Sequence, residues 1–322
     1  MAEPLLKIRG MTKSFGNLQI LKGIDLDIMP GEIIGIIGSS GSGKTTFLNS
    51  LIGFLKPDSG TVKFKISKGS SNDEKNKYQS VYKNQKIIKN FYGFAAQLPS
   101  FYEKLTVEEN LEYFAEHYNL KKEDIKSNVN TLLEMMNLEN SANIVGKNLS
   151  GGMERRLDIA CSLVHNPKLL ILDEPTSDLD PVLRNTILSL VSKINNKGTT
   201  IILSSHHLLE LENLCTRIAV IKGGKFIAVG TAEELRKQFN VKEQVIIKAK
   251  PGKFPRMSSY FKKYKKEIEK YETKNGELFL TCAKPHIILN DLIKTLEKNK
   301  EKIIELKLIK PDLDKIFITI NS

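Results

Sequence analysis

The stretch IIGIIGSSGSGKTT, residues 33–46, decides the fold. It opens with an apolar run, as in a strand buried on both faces, and continues from Gly38 to Thr45 in the phosphate-loop pattern G-x-x-x-x-G-K-[ST]. Glycines let backbone N–H groups close around phosphate oxygens, and the positive end of a following helix strengthens that grip. The stretch therefore predicts a strand, a nucleotide-binding loop and a helix, with Lys44 on the β- and γ-phosphates and Thr45 on Mg²⁺.

Composition limits the remaining classes of protein. The chain has 322 residues, of which 40% are hydrophobic, so it is long enough for a full core and is neither disordered nor fibrous. With 49 basic and 37 acidic side chains it should prefer an anionic partner. Its three cysteines lack CxxC spacing, which argues against a disulfide framework and a zinc site and favours a reducing cytoplasm. The sequence has no run of about 18 consecutive apolar residues, so no membrane span is predicted.

Along the chain, strand-like and helix-like patterns alternate up to about residue 240, which predicts an α/β core with a largely parallel sheet. Thr106 and Glu109 have the spacing of a capping box at the start of a helix. The Lys- and Asn-rich stretch 66–90 is predicted to be a polar insertion that forms a solvated surface loop. Beyond residue 240 the pattern predicts β-α-β-β-α-β, with a hairpin at Asn275-Gly276. We therefore expect two domains, at 1–240 and 241–322.

Two acids follow a second apolar run, Leu169 to Leu172. Carboxylates at the tip of a buried parallel strand lie beside the phosphate loop, so Asp173 is expected to hold Mg²⁺ and Glu174 to polarise a water molecule. Without other motifs, the better interpretation of this stretch would be an ordinary strand that leads into an acidic loop. Because the stretch follows a phosphate loop in the sequence, the Mg²⁺ and water roles are the better interpretation.

The segment Leu149 to Met153, LSGGM, predicts a second helix start suited to an anion. One phosphate loop is enough to bind one nucleotide. A second phosphate-binding site at Ser150 therefore implies that a second molecule takes part. A simple N-cap followed by glycines is the alternative, which weakens beside the other two motifs.

Taken together, residues 5 to 240 resemble the nucleotide-binding subunits of ATP-binding cassette (ABC) transporters, in the branch that exports drugs and antibiotics. The resemblance rests on motifs in a fixed order: the phosphate loop at 38–46, Gln97, the signature at 149–153, the acidic strand at 169–174, Ser177-Asp178-Leu179-Asp180, and His206. It implies an α/β fold: a P-loop ABC-type ATPase core with a helical subdomain at about 98–165, plus a small C-terminal α/β domain.

The resemblance also implies the site. Glu174, His206 and Lys44 are expected to be catalytic, and two chains are expected to enclose each ATP, with Ser150 of one chain on the γ-phosphate held by Lys44 of the other. Phe15 resembles the aromatic that stacks on adenine, and Gln97 the glutamine that senses Mg²⁺ and contacts the membrane partner. The expected nucleotide contacts are Phe15, Gly38, Ser39, Ser40, Gly41, Ser42, Gly43, Lys44, Thr45, Thr46, Gln97, Ser150, Gly151, Gly152 and Asp180. The expected metal ligands are Thr45, Gln97 and Asp173.

Some choices stay open at this level. His206 is preferred over His207 as the γ-phosphate histidine because Ser204-Ser205-His206 has the family's register. Phe15 could pack and Gln97 could be a solvated loop residue. Asp178 stands where a glycine is common. The tail resembles the export branch through Pro311 to Phe317, which fits P-x-L-x-x-x-F.

The function expected from the resemblance is ATP hydrolysis, with Mg²⁺, to power a membrane exporter. The chain would act at the cytoplasmic face of the membrane as a peripheral dimer, with a second copy of itself or a related subunit, on separate transmembrane permease subunits. The alternative is an ABC-type ATPase acting on nucleic acid or ribosomes. Such proteins carry two cassettes or a long coiled coil, and this chain shows neither, so no direct nucleic-acid partner is expected. A P-loop kinase or GTPase leaves residues 149–153 unexplained.

Overall fold

The computed structural model describes residues 3–66, 78–239, 242–254, 257–282 and 284–309. The chain divides into two compact units, Met1–Thr231 and Ala232–Ser322. Among the described helices, none combines the length and the apolar character that crossing a bilayer requires.

The first unit is built from ten described strands and seven described α-helices. The strands are β1 (Leu6–Phe15), β2 (Leu18–Ile28), β3 (Ile33–Ile37), β4 (Ser59–Lys65), β5 (Tyr78–Ser80), β6 (Tyr92–Ala95), β7 (Leu169–Leu172), β8 (Thr200–Ser205), β9 (Arg217–Lys222) and β10 (Lys225–Gly230). The helices are α1 (Lys44–Leu51), α2 (Gln85–Ile88), α3 (Val107–His117), α4 (Lys122–Met136), α5 (Gly151–Leu163), α6 (Pro181–Asn196) and α7 (Leu208–Leu214), with 3₁₀ turns at Lys89–Phe91, Glu139–Ser141 and Gly146–Asn148.

These strands form two sheets. One is antiparallel, in the order β2-β1-β4-β5. The other has the order β10-β9-β3-β8-β7-β6, parallel from β9 to β6 with β10 antiparallel at its edge. Every residue of β3, β7 and β8 is buried, as expected for central strands of a parallel sheet covered on both faces. Because their carboxyl ends share one edge, the residues that follow them are brought together there.

Helices α3, α4 and α5 pack on one another and form the helical part of this unit. The predicted capping box is present at α3: the Glu109 N–H donates to Thr106 Oγ1 at 3.1 Å, and the Thr106 N–H donates to Glu109 Oε2 at 2.7 Å. This reciprocal cap fixes where α3 begins.

The described part of the polar stretch, 78–90, is not the solvated loop expected from the sequence. Its strand β5 pairs with β4, and the side chains of Val81 and Ile88 lie in the hydrophobic core. The Tyr82 hydroxyl donates to the carbonyl of Ser50 at 2.6 Å. A few apolar residues among many lysines and asparagines therefore anchor this part of the chain, although its composition is polar. Residues 67–77 lie outside the described residues.

The second unit begins with α8 (Ala232–Gln238) and continues in the predicted order β-α-β-β-α-β. These elements are β11 (Glu243–Lys250), α9 (Ser258–Lys263), β12 (Ile268–Lys274), β13 (Glu277–Cys282), α10 (Pro285–Lys298) and β14 (Lys302–Ile309). The strands form one antiparallel sheet in the order β12-β13-β11-β14. Asn275 and Gly276, both with positive φ, connect β12 to β13 as the hairpin signal predicted.

This unit has its own hydrophobic core, to which Val245 and Ile247 of β11, Leu280 of β13, and Ile288 and Leu292 of α10 contribute. A chain segment with a separate core can fold as a domain. The stretch from Pro311 to Phe317, which resembles the export branch, lies outside the described residues.

Candidate nucleotide site

The predicted phosphate loop connects β3 to α1. Gly41 and Gly43 have φ of 76° and 105°, a region that side chains disfavour. A Cβ on Gly38 would lie 2.4 Å from Ser42 Oγ and 2.6 Å from the carbonyl oxygen of Ile221, so only glycine fits there. The loop therefore has the tight turn that points backbone N–H groups and the start of α1 at a phosphate.

Lys44 spans this loop with its side chain almost wholly buried. Its Nζ donates to the carbonyl oxygens of Gly38 at 3.0 Å and Ser39 at 3.3 Å. The same ammonium lies 3.5 Å from Oε1 of Glu174. A cation fixed at the mouth of a phosphate loop is the group that holds β- and γ-phosphate oxygens.

Glu174 lies between the other two residues that the sequence predicted to be catalytic, Lys44 and His206. Its Oε2 lies 3.4 Å from Nδ1 of His206, while its Oε1 faces Lys44. These side chains follow three different strands, β3, β7 and β8, whose carboxyl ends meet at one edge of the sheet. The structure thus places the predicted cation and the predicted histidine each within ion-pair distance of the predicted carboxylate.

Asp173 lies beside this group and is buried. Its Oδ1 accepts a hydrogen bond from the Ser204 hydroxyl at 2.5 Å, and that hydroxyl accepts one from the Glu174 N–H at 2.9 Å. Glu174 has a φ of 46°, a conformation that costs free energy for a residue with a Cβ. One serine therefore orients both acids, a role the sequence did not suggest.

Comparison with known proteins decides the family. A family model described as ABC transporter matches residues 21–177. The linearmycin resistance ATP-binding protein LnrL of Bacillus subtilis is 35% identical over 234 residues, which cover 72% of this chain and 70% of that protein. This chain belongs to the ATP-binding proteins of ABC transporters. It is accordingly an ATP-binding and ATP-hydrolysing subunit, and its likeness to a drug-resistance protein agrees with the branch that the sequence indicated.

Two further relatives of this ABC ATPase extend the comparison. The methionine import ATP-binding protein MetN of Clostridioides difficile is 35% identical over 232 residues, covering 72% of this chain and 70% of that protein. Among solved structures, cbiO1 from Clostridium perfringens, described as part of the ABC transporter complex cbiONQ, has a TM-score of 0.64 and 26% identity, and the match covers 81% of this chain and 99% of that one. The fold is therefore shared with a protein that is part of an ABC transporter complex.

Several predicted site residues lie at the border of the ABC ATPase site. Gln97 is exposed two residues beyond β6, and β6 pairs in parallel with β7, so Gln97 lies at the same sheet edge as Asp173. Thr45 is exposed at the start of α1, next to Lys44. Phe15 ends β1 with its ring exposed, and the Lys13 ammonium lies 5.6 Å from the ring centroid. Their roles toward nucleotide and metal stay predictions.

Ser150 and Asp180 each begin a helix. Ser150 is exposed at the start of α5, and its hydroxyl does not cap the amides of that helix. Gly152 packs against Leu183, whereas a Cβ on Gly151 would meet open space. Asp180 caps α6, accepting hydrogen bonds from the backbone N–H groups of Val182 and Leu183 at 2.8 and 3.0 Å. If Asp180 contacts nucleotide as predicted, its carboxylate has to do so while it also accepts these two capping hydrogen bonds.

A buried acid that the sequence did not single out supports the His206 loop. Glu210 Oε2 accepts hydrogen bonds from Thr176 Oγ1 at 2.7 Å and from Ser205 Oγ at 3.3 Å, and Oε1 lies 3.2 Å from Arg184 Nε. Thr176 and Ser205 lie next to the loop of Glu174 and to His206. Glu210 thus ties these two segments to α6.

Arg155 is the second residue that sequence reasoning missed. It lies buried on α5, and its guanidinium donates to three carbonyl oxygens: Ala96 at 2.6 Å, Asp173 at 3.0 Å and Pro175 at 2.9 Å. Two of these carbonyls flank Glu174, and the third precedes Gln97. One side chain therefore fixes the loop that carries Glu174 relative to the loop that carries Gln97.

Asp158 completes this arrangement one turn further along α5. Its Oδ2 lies 3.5 Å from Arg155 Nη1, and its Oδ1 accepts hydrogen bonds from the N–H and hydroxyl of Ser100 at 2.8 and 2.9 Å. Burial raises the pKa of Asp158 above its ordinary value and lowers the pKa of Arg155, while the hydrogen bonds from Ser100 counteract the shift at Asp158. Charged residues at i and i+3 on the buried face of a helix are the sequence signal that could have revealed the pair.

We expect Arg155→Met to lower the kcat of ATP hydrolysis by about 10²-fold, because a catalytic group displaced by about 1 Å loses that much. The KM for ATP should change little, since Lys44 and the loop amides are untouched. The matched control is Arg156→Met: Arg156, the next residue on α5, donates to the carbonyls of Gly152, Met136 and Asn137 and to none of the carbonyls beside Glu174. Steady-state kinetics and thermal unfolding of both variants distinguish the two roles. If kcat falls equally in both, Arg155 contributes only to stability.

Proposed function

We propose that this ABC ATPase powers a membrane exporter, working with Mg²⁺ at the cytoplasmic face of the membrane as a dimer on separate transmembrane permease subunits. Its likeness to a linearmycin resistance protein supports export, although a methionine import protein is equally similar in identity. The observation that carries the proposal is an exposed apolar and aromatic surface that begins immediately after Gln97.

The donor set fits Mg²⁺. Among the described residues, no cluster of three or more His, Cys, Asp or Glu could hold a metal ion. Mg²⁺ in nucleotide sites is bound through only one or two carboxylates, with phosphate oxygens and water supplying many of the other ligands. The Thr45 hydroxyl, the Gln97 amide and the buried Asp173 carboxylate, oriented by Ser204, are suitable oxygen donors. When bound, the ion would neutralise charge that develops on the phosphate oxygens.

The chain's own residues divide the remaining work. Lys44 holds phosphate oxygens, while Glu174 accepts a hydrogen bond from the attacking water and so orients it toward the γ-phosphorus. His206, 3.4 Å from the far carboxylate oxygen, keeps Glu174 aimed and can donate to a phosphate oxygen. The water oxygen bonds to phosphorus and gives a proton to the Glu174 carboxylate as the bond from phosphorus to the bridging oxygen breaks, which yields ADP and phosphate; Glu174 then releases the proton to solvent.

A second chain would complete each site. Among the described residues, the side-chain contacts of Lys44, Glu174 and His206 do not include Ser150. Ser150 is exposed at the N-terminus of the thirteen-residue helix α5 and has its hydroxyl available. Such a helix start suits the γ-phosphate of ATP bound to the partner. This supports a site shared between two copies, or between this chain and a related subunit.

The exposed surface beside Gln97 supports a membrane partner. Leu98 is 79% exposed and Tyr102 is 49% exposed, and the Tyr102 ring lies 4.7 Å from that of Tyr113 and 6.2 Å from that of Phe114, measured between centroids. An apolar and aromatic patch on the surface of a folded unit marks a contact site for another protein. We call Leu98, Tyr102, Tyr113 and Phe114 the Gln97 surface, and we assign it to a permease subunit.

The test uses native membranes containing the tagged chain. Leu98→Asp combined with Tyr102→Ser should abolish co-purification of integral membrane proteins, while the purified variant should still hydrolyse ATP. Ile227→Ser is the matched control, because Ile227 is an exposed apolar residue on β10, at the opposite edge of the main sheet from β6. Transport assayed in vesicles with the co-purified proteins then gives the direction. Unchanged co-purification by the double variant, or ATP-driven uptake, would contradict the proposal.

A further inference from the structure

Strand β14 forms one edge of the C-terminal sheet. Its inner side pairs with β11, from Gln244 opposite Ile309 to Lys250 opposite Lys302. Among the described residues, no strand pairs with its outer side. The backbone N–H and C=O groups on that side can therefore extend the sheet into another chain.

The side chains of β14 are unusually apolar for an unprotected edge. Five of its eight residues are isoleucine or leucine, and Ile304, Leu306, Leu308 and Ile309 are 52%, 37%, 45% and 40% exposed. Leu306 and Leu308 lie opposite Ile247 and Val245, which are fully buried. The hydrophobic face of the sheet thus continues onto β14 and is left partly uncovered there.

The opposite edge of the same sheet behaves differently. Strand β12, IEKYETK, carries charged residues along its exposed length, including Glu269, Lys270, Glu272 and Lys274. Charges of this kind are how edge strands avoid pairing with other chains. Strand β14 carries charges only at Lys302, Glu305 and Lys307, and its other five residues are isoleucine or leucine, so β14 is the more apolar of the two edges and the one better suited to a partner strand.

The sequence of β14 is complementary to itself. If two copies pair antiparallel with Leu306 at the centre, Ile304 of each copy lies opposite Leu308 of the other, and Glu305 lies opposite Lys307. Within one strand, Glu305 Oε1 and Lys307 Nζ already lie 2.9 Å apart, so both charges project from the same face. Moving the centre by one residue in either direction would place Glu305 opposite Glu305, or Lys307 opposite Lys307, which is unfavourable.

We propose that two copies of this chain associate through β14, antiparallel and centred on Leu306, so that their two C-terminal sheets become one continuous sheet of eight strands. This contact goes beyond the ATP-dependent sharing of sites proposed above, because it needs no nucleotide. It would keep two cassettes close together after ADP and phosphate leave, which raises their effective concentration for the next ATP-dependent closure.

The experiment uses the full chain carrying Lys44→Ala, without nucleotide, so that the cassettes cannot join around ATP. Light scattering over a range of concentrations should show self-association. Glu305→Lys and Lys307→Glu should each weaken it by at least about tenfold, because each places like charges opposite each other twice. An equimolar mixture of the two variants should form a heterodimer, since every facing pair is then attractive. Glu272→Lys on β12 is the control and should leave association unchanged.

A disulfide provides an independent readout. Leu306→Cys places two thiols directly opposite each other at the centre, where facing Cα atoms of antiparallel strands lie about 4.5 to 5.5 Å apart, a separation that a disulfide can span, so oxidation should cross-link two full-length chains. Glu272→Cys on β12 is the control and should not cross-link. Circular dichroism confirms that each variant is folded. A single-chain mass at all concentrations, association that ignores both charge reversals, or a mixture that stays dissociated would overturn the proposal, and β14 would then face a different protein or another part of its own chain.

Discussion

Glu174→Gln should bind ATP as well as the unaltered protein and hydrolyse it about 10²- to 10⁴-fold more slowly, the usual loss when a positioned general base is removed. The amide keeps the size of the carboxylate but cannot accept a proton from water. Lys44 and the loop amides remain in place, so binding should persist. Single-turnover hydrolysis and equilibrium binding of ATP measure the two effects separately.

Glu139→Gln provides the control, because it makes the same chemical change at an exposed position in a 3₁₀ turn of the helical region. It should leave hydrolysis unchanged. Hydrolysis by Glu174→Gln within a few-fold of the unaltered protein would show that another group orients the water. Loss of ATP binding by this variant would instead show that Glu174 mainly balances the charge of Lys44.

The elements predicted correctly from sequence are those with a local signal. Four features depend on residues within a few positions of one another: the phosphate loop, the apolar strand before Asp173, the cap at Thr106 and the hairpin at Asn275. A short sequence pattern is therefore enough to predict each of them. That Glu174 lies beside Lys44 followed from one further rule, that parallel strands end at one edge of a sheet. The position of His206 was expected from the resemblance to the family.

What could not be predicted depends on contacts between distant parts of the chain. Arg155 bonds Ala96, 59 residues away, and Ser204 bonds Asp173 across 31 residues, and neither pair belongs to a local pattern. The prediction for segment 78–90 was wrong because composition averages over all residues, whereas a few of them, such as Val81 and Ile88, lie in the hydrophobic core and anchor the segment. The place of β14 at an edge of its sheet, unpaired on one side among the described strands, likewise became visible only when the order of the strands was known.

Lys44→Ala and Ser150→Arg should each abolish hydrolysis by a chain that associates only with itself. Lys44→Ala removes the ammonium that is held at the mouth of the phosphate loop, 3.0 Å from the Gly38 carbonyl. Ser150→Arg places a long side chain at the exposed start of α5, where it would block the nucleotide bound to the partner. The first variant should lose ATP affinity, whereas the second should keep it, because its own loop is intact. Binding and turnover assays on each variant check this difference.

The control for the second variant is Lys147→Ala, which removes an exposed charge three residues before Ser150 and should leave turnover intact. Full activity of Ser150→Arg alone would mean that α5 does not approach a partner's ATP.

Mixing these two inactive variants tests most directly whether one site is built from two chains. In a mixed dimer, one site combines the intact Lys44 of the Ser150→Arg chain with the intact Ser150 of the Lys44→Ala chain, and the other site carries both defects. We predict that hydrolysis reappears on mixing, rises with the concentration of either variant and disappears again when Glu174→Gln is added to the Ser150→Arg chain. No hydrolysis from a mixture in which heterodimers are demonstrably present would contradict the account.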